Sequence, residues 1–184
     1  MLDPSLLNHL RVLASNPDAA TEMSGQFRTR IYGPSSERAI ELAELQLGFS
    51  ITAELRQLYL HVANGGFGPG YGLLGLEGGA VDDLNRSSVE LYKSFREPDP
   101  SDPYWSWPEG LLPIVHLGCA MYFCEPCVGT SRSVIWFEPN PHEDGASWES
   151  SFLDRGLTLE QLLRAWIEKR DYWGAAAPLW ETFG

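Results

Sequence analysis

The residues best placed by type and spacing to do chemistry are His116, Cys119, Cys124 and Cys127. Cys124-Glu125-Pro126-Cys127 has the Cys-x-x-Cys spacing of a zinc knuckle or a redox pair. Zinc needs four ligands in one consistent geometry, and His116 and Cys119 are the only near additions. They fall partly inside a predicted strand, where successive side chains point to opposite faces. A redox pair belongs where a strand leads into a helix, and no helical pattern follows Cys127. The zinc-deaminase pattern fails too, because no His-x-Glu precedes and Pro-Cys-x-x-Cys is absent. The three thiols are therefore read as free, with no metal and no cofactor.

Other chemistry-bearing patterns fall away in the same manner. Residues 65–72 read GGFGPGYG, but a phosphate loop follows a strand and opens a helix, whereas this run follows a helix and lacks a Lys-Ser/Thr ending. It reads as a structural turn, with Asn64, Gly65 and Gly66 at its start. His9, His61, His116 and His142 are scattered, and neither HExxH nor GxSxG occurs. No catalytic constellation emerges, and the expectation is that the protein is not an enzyme.

Charge is more informative. Twenty-five Asp and Glu oppose 13 Lys and Arg, for a formal net charge of -12. Such a surface repels nucleic acid and anionic lipid and attracts basic proteins. Residues 77–109 hold eight acidic side chains against three basic ones, and residues 138–154 hold five acidic and no Lys or Arg. These stretches contain the paired carboxylates Asp82-Asp83 and Glu143-Asp144, with Asp99 and Asp102 nearby. Trp105-x-Trp107 adds an aromatic pair that serves either as a binding anchor or as a core plug. The residues expected to dock a basic partner are Asp82, Asp83, Asp99, Asp102, Trp105, Glu143 and Asp144. Replacing the four aspartates is expected to leave the fold intact, because they lie in turn-like segments.

The elements that must position these residues are legible in part. Asp3 caps a first helix with Pro4 at its first position and an apolar stripe of Leu6, Leu7, Leu10 and Leu13. Residues 16–34 look irregular. A second helix starts after Pro34 at Ser35 or Ser36 and stops at Gly48. Thr52 caps a third, whose Leu55, Leu58, Tyr59 and Val62 share one buried face. Strand-sized runs follow at 73–76, 111–117, 119–124 and 134–137, with room for a helix over 87–95. Residues 97–110 contain four Pro and two Trp and read as an ordered loop. A last helix begins at the capping box Thr158-x-x-Gln161, with Leu157 stapling onto Leu162. Helices, then a mostly antiparallel sheet, then a helix argue an α+β fold in one domain over 1–184. No span of about 18 apolar residues occurs, and Met1-Leu2-Asp3-Pro4 is not a signal-peptide start. With three clustered cysteines, this points to the cytoplasm.

On these residues the sequence resembles the SUKH superfamily. The resemblance rests on Leu47-Gly48-Phe49-Ser50-Ile51-Thr52 with Leu55, Leu58 and Tyr59, then Asn64-Gly65-Gly66, Trp107-Pro108, Leu112-Pro113-Ile114 and Gly118-Cys119. Trp136-Phe137-Glu138-Pro139-Asn140-Pro141 and the helix around Leu159 to Trp166 complete it, over most of residues 35–170. The resemblance implies an α+β fold of antiparallel sheet flanked by helices. In bacteria it implies frequent service as an immunity protein that neutralises a cognate toxin by direct binding. A regulatory or scaffold protein binding a housekeeping partner is the other role it implies.

Overall fold

The computed structural model describes residues 1–16 and 30–170. The first helix, α1 (Pro4–Ala14), is opened by Asp3, whose carboxylate accepts the backbone N–H groups of Ser5 and Leu6. Its Leu6, Leu10 and Leu13 are buried. Ser36 caps α2 (Glu37–Leu47), which ends at Gly48 with φ +80°, a left-handed turn that glycine adopts without strain. Thr52 caps α3 (Ala53–His61), and Leu55, Leu58 and Tyr59 line its inner face. The capping boxes Ser87–Glu90 and Thr158–Gln161 open α4 (Ser88–Arg96) and α5 (Leu159–Ile167). The irregular reading of 16–34 falls largely on 17–29, outside the described residues.

Four antiparallel strands form one sheet in the order β1 (Leu111–Gly118), β2 (Met121–Pro126), β3 (Ile135–Phe137) and β4 (Phe152–Asp154). The tight β1–β2 turn places Cys119 and Ala120 at positive φ, so β2 begins at Met121 instead of 119. It then continues past Cys124 to Pro126, which pairs with Leu111. The α+β architecture expected from the sequence is present.

Two expectations need correction. The run 73–76 is not a strand: it makes one isolated bridge, Leu73 to Val115, and Leu74 donates to the Ile114 carbonyl. Gly75 then donates its N–H to the Ala80 carbonyl and accepts the Ser88 N–H on its own carbonyl, away from β1, which ends the pairing. β4, preceded by a 3-10 turn over Trp148–Ser151, has no counterpart in the sequence reading, because three residues are too few to show an alternating pattern.

The turn after α3 is held by Asn64. Asn64 is buried; its Oδ1 accepts the Leu76 N–H at 2.8 Å and its Nδ2 donates to the Glu77 carbonyl at 3.2 Å. Gly66, at φ +90°, lies so close to Arg30 that a Cβ would collide with its carbonyl. One hydrophobic cluster runs from Leu2 to Trp166 and joins helices to sheet. Among the described residues no helix is long and apolar enough to cross a membrane.

Candidate docking surface

The loop at 97–110 leads from the end of α4 into β1 and sets Trp105 and Trp107 against Phe137 of β3. Two of its aspartates build its turns: Asp99 accepts the Ser101 N–H at 2.8 Å and Asp102 accepts the Tyr104 N–H at 2.9 Å. The Ser101 hydroxyl and N–H hold the Asp99 carboxyl below its ordinary range. Trp107 plugs the core, 2% exposed, with its indole N–H on the Leu111 carbonyl at 2.7 Å. Trp105 is half-buried, donates to the Phe95 carbonyl at 2.8 Å, and sets its edge against Trp148, 4.9 Å between ring centres. The pair thus differs in depth: Trp107 lies in the core, and Trp105 packs against that core while staying partly exposed.

The segment after β3 folds against this loop. Trp148 donates its indole N–H to Asp102 at 2.6 Å, and the His142 ring stacks on Trp148 at 3.7 Å. Nε2 of His142 lies 4.0 Å from the same Asp102 carboxylate. Glu143 and Asp144 are exposed at the turn between His142 and Trp148, where Gly145 approaches the ring of Tyr104. Tyr104 itself is 54% exposed. Two acidic stretches separate in sequence therefore meet around a cluster of aromatic side chains, through Asp102 and Trp148, 46 residues apart.

Asp82 and Asp83 lie elsewhere, and Asp82 is not the surface charge the sequence suggested. It is 4% exposed, pairs with Arg86 at 2.8 Å, and accepts from the backbone of Leu84 and Arg86 and from the Tyr122 hydroxyl. This burial and bonding run against the expectation that Asp82 can be replaced without cost to the fold. Asp83 next to it is exposed. Asp102 is a partial exception of the same sort, half-buried and bonded on both oxygens. The sequence reading missed Tyr104, His142 and Trp148. A tryptophan inside a stretch otherwise rich in Glu, Asp and Ser was the one available signal for the last.

The cysteines sit at three depths: Cys119 exposed, Cys127 intermediate and Cys124 buried, all as free thiols. Burial raises the Cys124 thiol well above its ordinary value and pushes Cys127 up to about 12, so both keep their protons at neutral pH. Glu125 between them is buried with one carboxyl oxygen lacking a hydrogen-bond partner, and burial pushes it up to about 8. Protonated thiols are poor nucleophiles and poor ligands, and among the described residues no group of three or more His, Cys, Asp and Glu is disposed to hold a metal ion.

The family model described as SMI1 / KNR4 family (SUKH-1) matches residues 34–154. The chain belongs to that family. The matched span begins just before α2 and ends with β4, so it contains both loops of the acidic-aromatic surface and leaves α1 and α5 outside. No curated protein matches the chain.

Proposed function

We propose that this protein is a non-catalytic protein-binding domain of the bacterial cytoplasm, an immunity protein that neutralises a cognate toxin by direct binding. SUKH membership supports the role, and the meeting of the two acidic loops around Tyr104, Trp105 and Trp148 is the observation that carries it. A rim of carboxylates around partly exposed aromatic rings is the composition of a docking hot spot: aromatic area supplies affinity and the carboxylates supply steering toward a basic partner. Asp99, Glu143 and Asp144 are the steering charges, while Asp102 positions Trp148. The bound protein covers the toxin's active site or its substrate path, so no chemistry is required of the inhibitor.

The test is direct binding to the product of a neighbouring toxin-like reading frame, by calorimetry, together with protection of cells expressing that toxin. Tyr104→Ala should weaken binding about 10- to 100-fold, the cost of removing an anchor at a hot spot. A neighbouring toxin that neither binds nor is neutralised overturns the immunity role and leaves a regulatory or scaffold partner as the reading. Binding that is indifferent to Tyr104→Ala moves the docking face away from these loops.

A further inference from the structure

A cleft of about 350 Å³ opens beside the glycine-rich turn, lined by Arg30, Tyr32, Tyr71, Asp83, His116 and Cys119 among others. His116 is delivered to it by β1, with its side chain only 6% exposed. The imidazole is held between two phenol rings, Tyr71 at 4.9 Å and Tyr122 at 5.4 Å. Its Nε2 has no hydrogen-bond partner. The nearest carboxylate oxygen, Oδ1 of Asp83, is 3.8 Å away, which is outside hydrogen-bond range. A buried ring nitrogen left unpaired is costly, and a ligand that supplies its missing partner recovers that cost.

Arg30, Asp82 and Asp83 are the charged side chains that line the cleft. Asp82 is already neutralised by Arg86. Among the described residues Asp83 has no Lys or Arg within ion-pair distance, and its side chain is 67% exposed. Desolvation lowers the His116 pKa below its ordinary value, more than the nearby Asp83 and Asp82 raise it. Burial therefore favours the uncharged ring, whose Nε2 still needs a polar partner. The cleft thus offers a carboxylate and a buried ring nitrogen without a hydrogen-bond partner, between aromatic walls. One of those walls already carries a guanidinium: that of Arg30 lies 4.9 Å from the centre of the Tyr32 ring.

We infer that this cleft receives an arginine side chain of the bound protein partner. A guanidinium is planar, always charged, and has five N–H donors in a rigid fork. It donates to Asp83 on one edge and to Nε2 of His116 on another, with its face against Tyr71. A lysine ammonium carries the charge but has no flat face to lay against the tyrosine. The inference deepens the protein-binding reading and rests on it for the source of the arginine. The aromatic contacts His116–Tyr122, Tyr122–Phe95 and Phe95–Trp105 connect the cleft to the acidic-aromatic loops through the interior.

The probe is N-acetyl-arginine methylamide, titrated into the isotope-labelled full chain while the His116 imidazole and Tyr71 ring resonances are followed by NMR. A saturable shift at both rings is expected, with a midpoint on the order of 10 mM, as befits one charged side chain without its protein. The uncharged isostere N-acetyl-citrulline methylamide should give none. Asp83→Asn, an exposed change, should weaken the titration at least about fivefold, consistent with loss of a charge-assisted hydrogen bond. Citrulline shifts equal to those of arginine, an unaffected Asp83→Asn protein, or no saturable change at His116 would each overturn the assignment. Because the probe needs no toxin, its failure with toxin binding intact removes only the arginine cleft. Saturable binding of the probe without any toxin binding upholds the cleft and removes only the immunity role.

Discussion

Trp148 donates its indole N–H to Asp102 at 2.6 Å, a bond that joins loops 46 residues apart. Asp102 also accepts the Tyr104 N–H with its other oxygen, so one carboxylate fixes its own turn and the neighbouring loop together. Asp102→Ala should therefore cost about 1–3 kcal/mol, the usual consequence of leaving part-buried donors unpaired. Urea unfolding measures the loss, and tryptophan emission reports the release of Trp148. A change under about 0.5 kcal/mol with unaltered emission would mean the two loops do not depend on this bond.

Asp82 and Asp83 are neighbours with opposite consequences. Asp82→Ala strips a buried carboxylate from Arg86 and from two backbone N–H groups, and should cost about 3 kcal/mol or more. Asp83→Ala, on an exposed side chain, should stay within about 0.5 kcal/mol. Thermal or urea denaturation of the two variants decides this, and equal losses would contradict the difference in burial.

The buried carboxyl of Glu125 makes stability depend on pH. Its folded pKa is raised to about 8 from an ordinary value of 4.5, so the folded state holds a proton that the unfolded chain releases. That contribution is fully present below about pH 4.5, declines as pH rises through the window to about 8, and is absent above it. Glu125→Gln cannot ionise. The stability of Glu125→Gln relative to the parent should increase steadily between those limits and then level off. A constant difference across pH 5 to 8 would mean that the native site accommodates the charge.

Leu58 is fully buried on the inner face of α3. Leu58→Ala should cost about 2–5 kcal/mol in urea unfolding, the sum of lost transfer energy and the cavity left behind. A loss below about 0.5 kcal/mol would contradict that packing.

The helices are readable because each carries a local signal. Ser36, Thr52 and Thr158 cap where expected, and Leu55, Leu58 and Tyr59 repeat at helical spacing. The Ser87–Glu90 capping box is equally visible as Ser-x-x-Glu. The strands are less so: β1 and β2 are buried along nearly their whole length and lack alternation, and β3 and β4 have three residues each. The docking surface is half-legible. Charge density finds the two acidic stretches, but their contact depends on Trp148 reaching Asp102, which is tertiary. Composition also cannot separate Asp82 from Asp83, since burial is decided by the turn that Asp82 closes.

Charge at the rim and aromatic area at the centre should act on different rate constants. Asp99, Glu143 and Asp144 are exposed, and as rim charges they contribute to the long-range field more than to close packing in the complex. Asp99→Asn, Glu143→Gln and Asp144→Asn together keep the shape of the side chains, and the amide oxygen that Asp99→Asn introduces still accepts the Ser101 N–H. Against a basic toxin the triple variant should associate about tenfold more slowly at low salt and show a flatter salt dependence, with dissociation nearly unchanged. Tyr104→Ala should do the reverse, speeding dissociation while leaving the association rate and its salt slope intact. Stopped-flow kinetics from about 50 to 500 mM salt, where the screening length falls from about 14 to 4 Å, separates the two. Association by the triple variant at the parent's rate and with the parent's salt slope would place the steering charges elsewhere. Tight binding by the parent with no salt dependence at all would remove the electrostatic account.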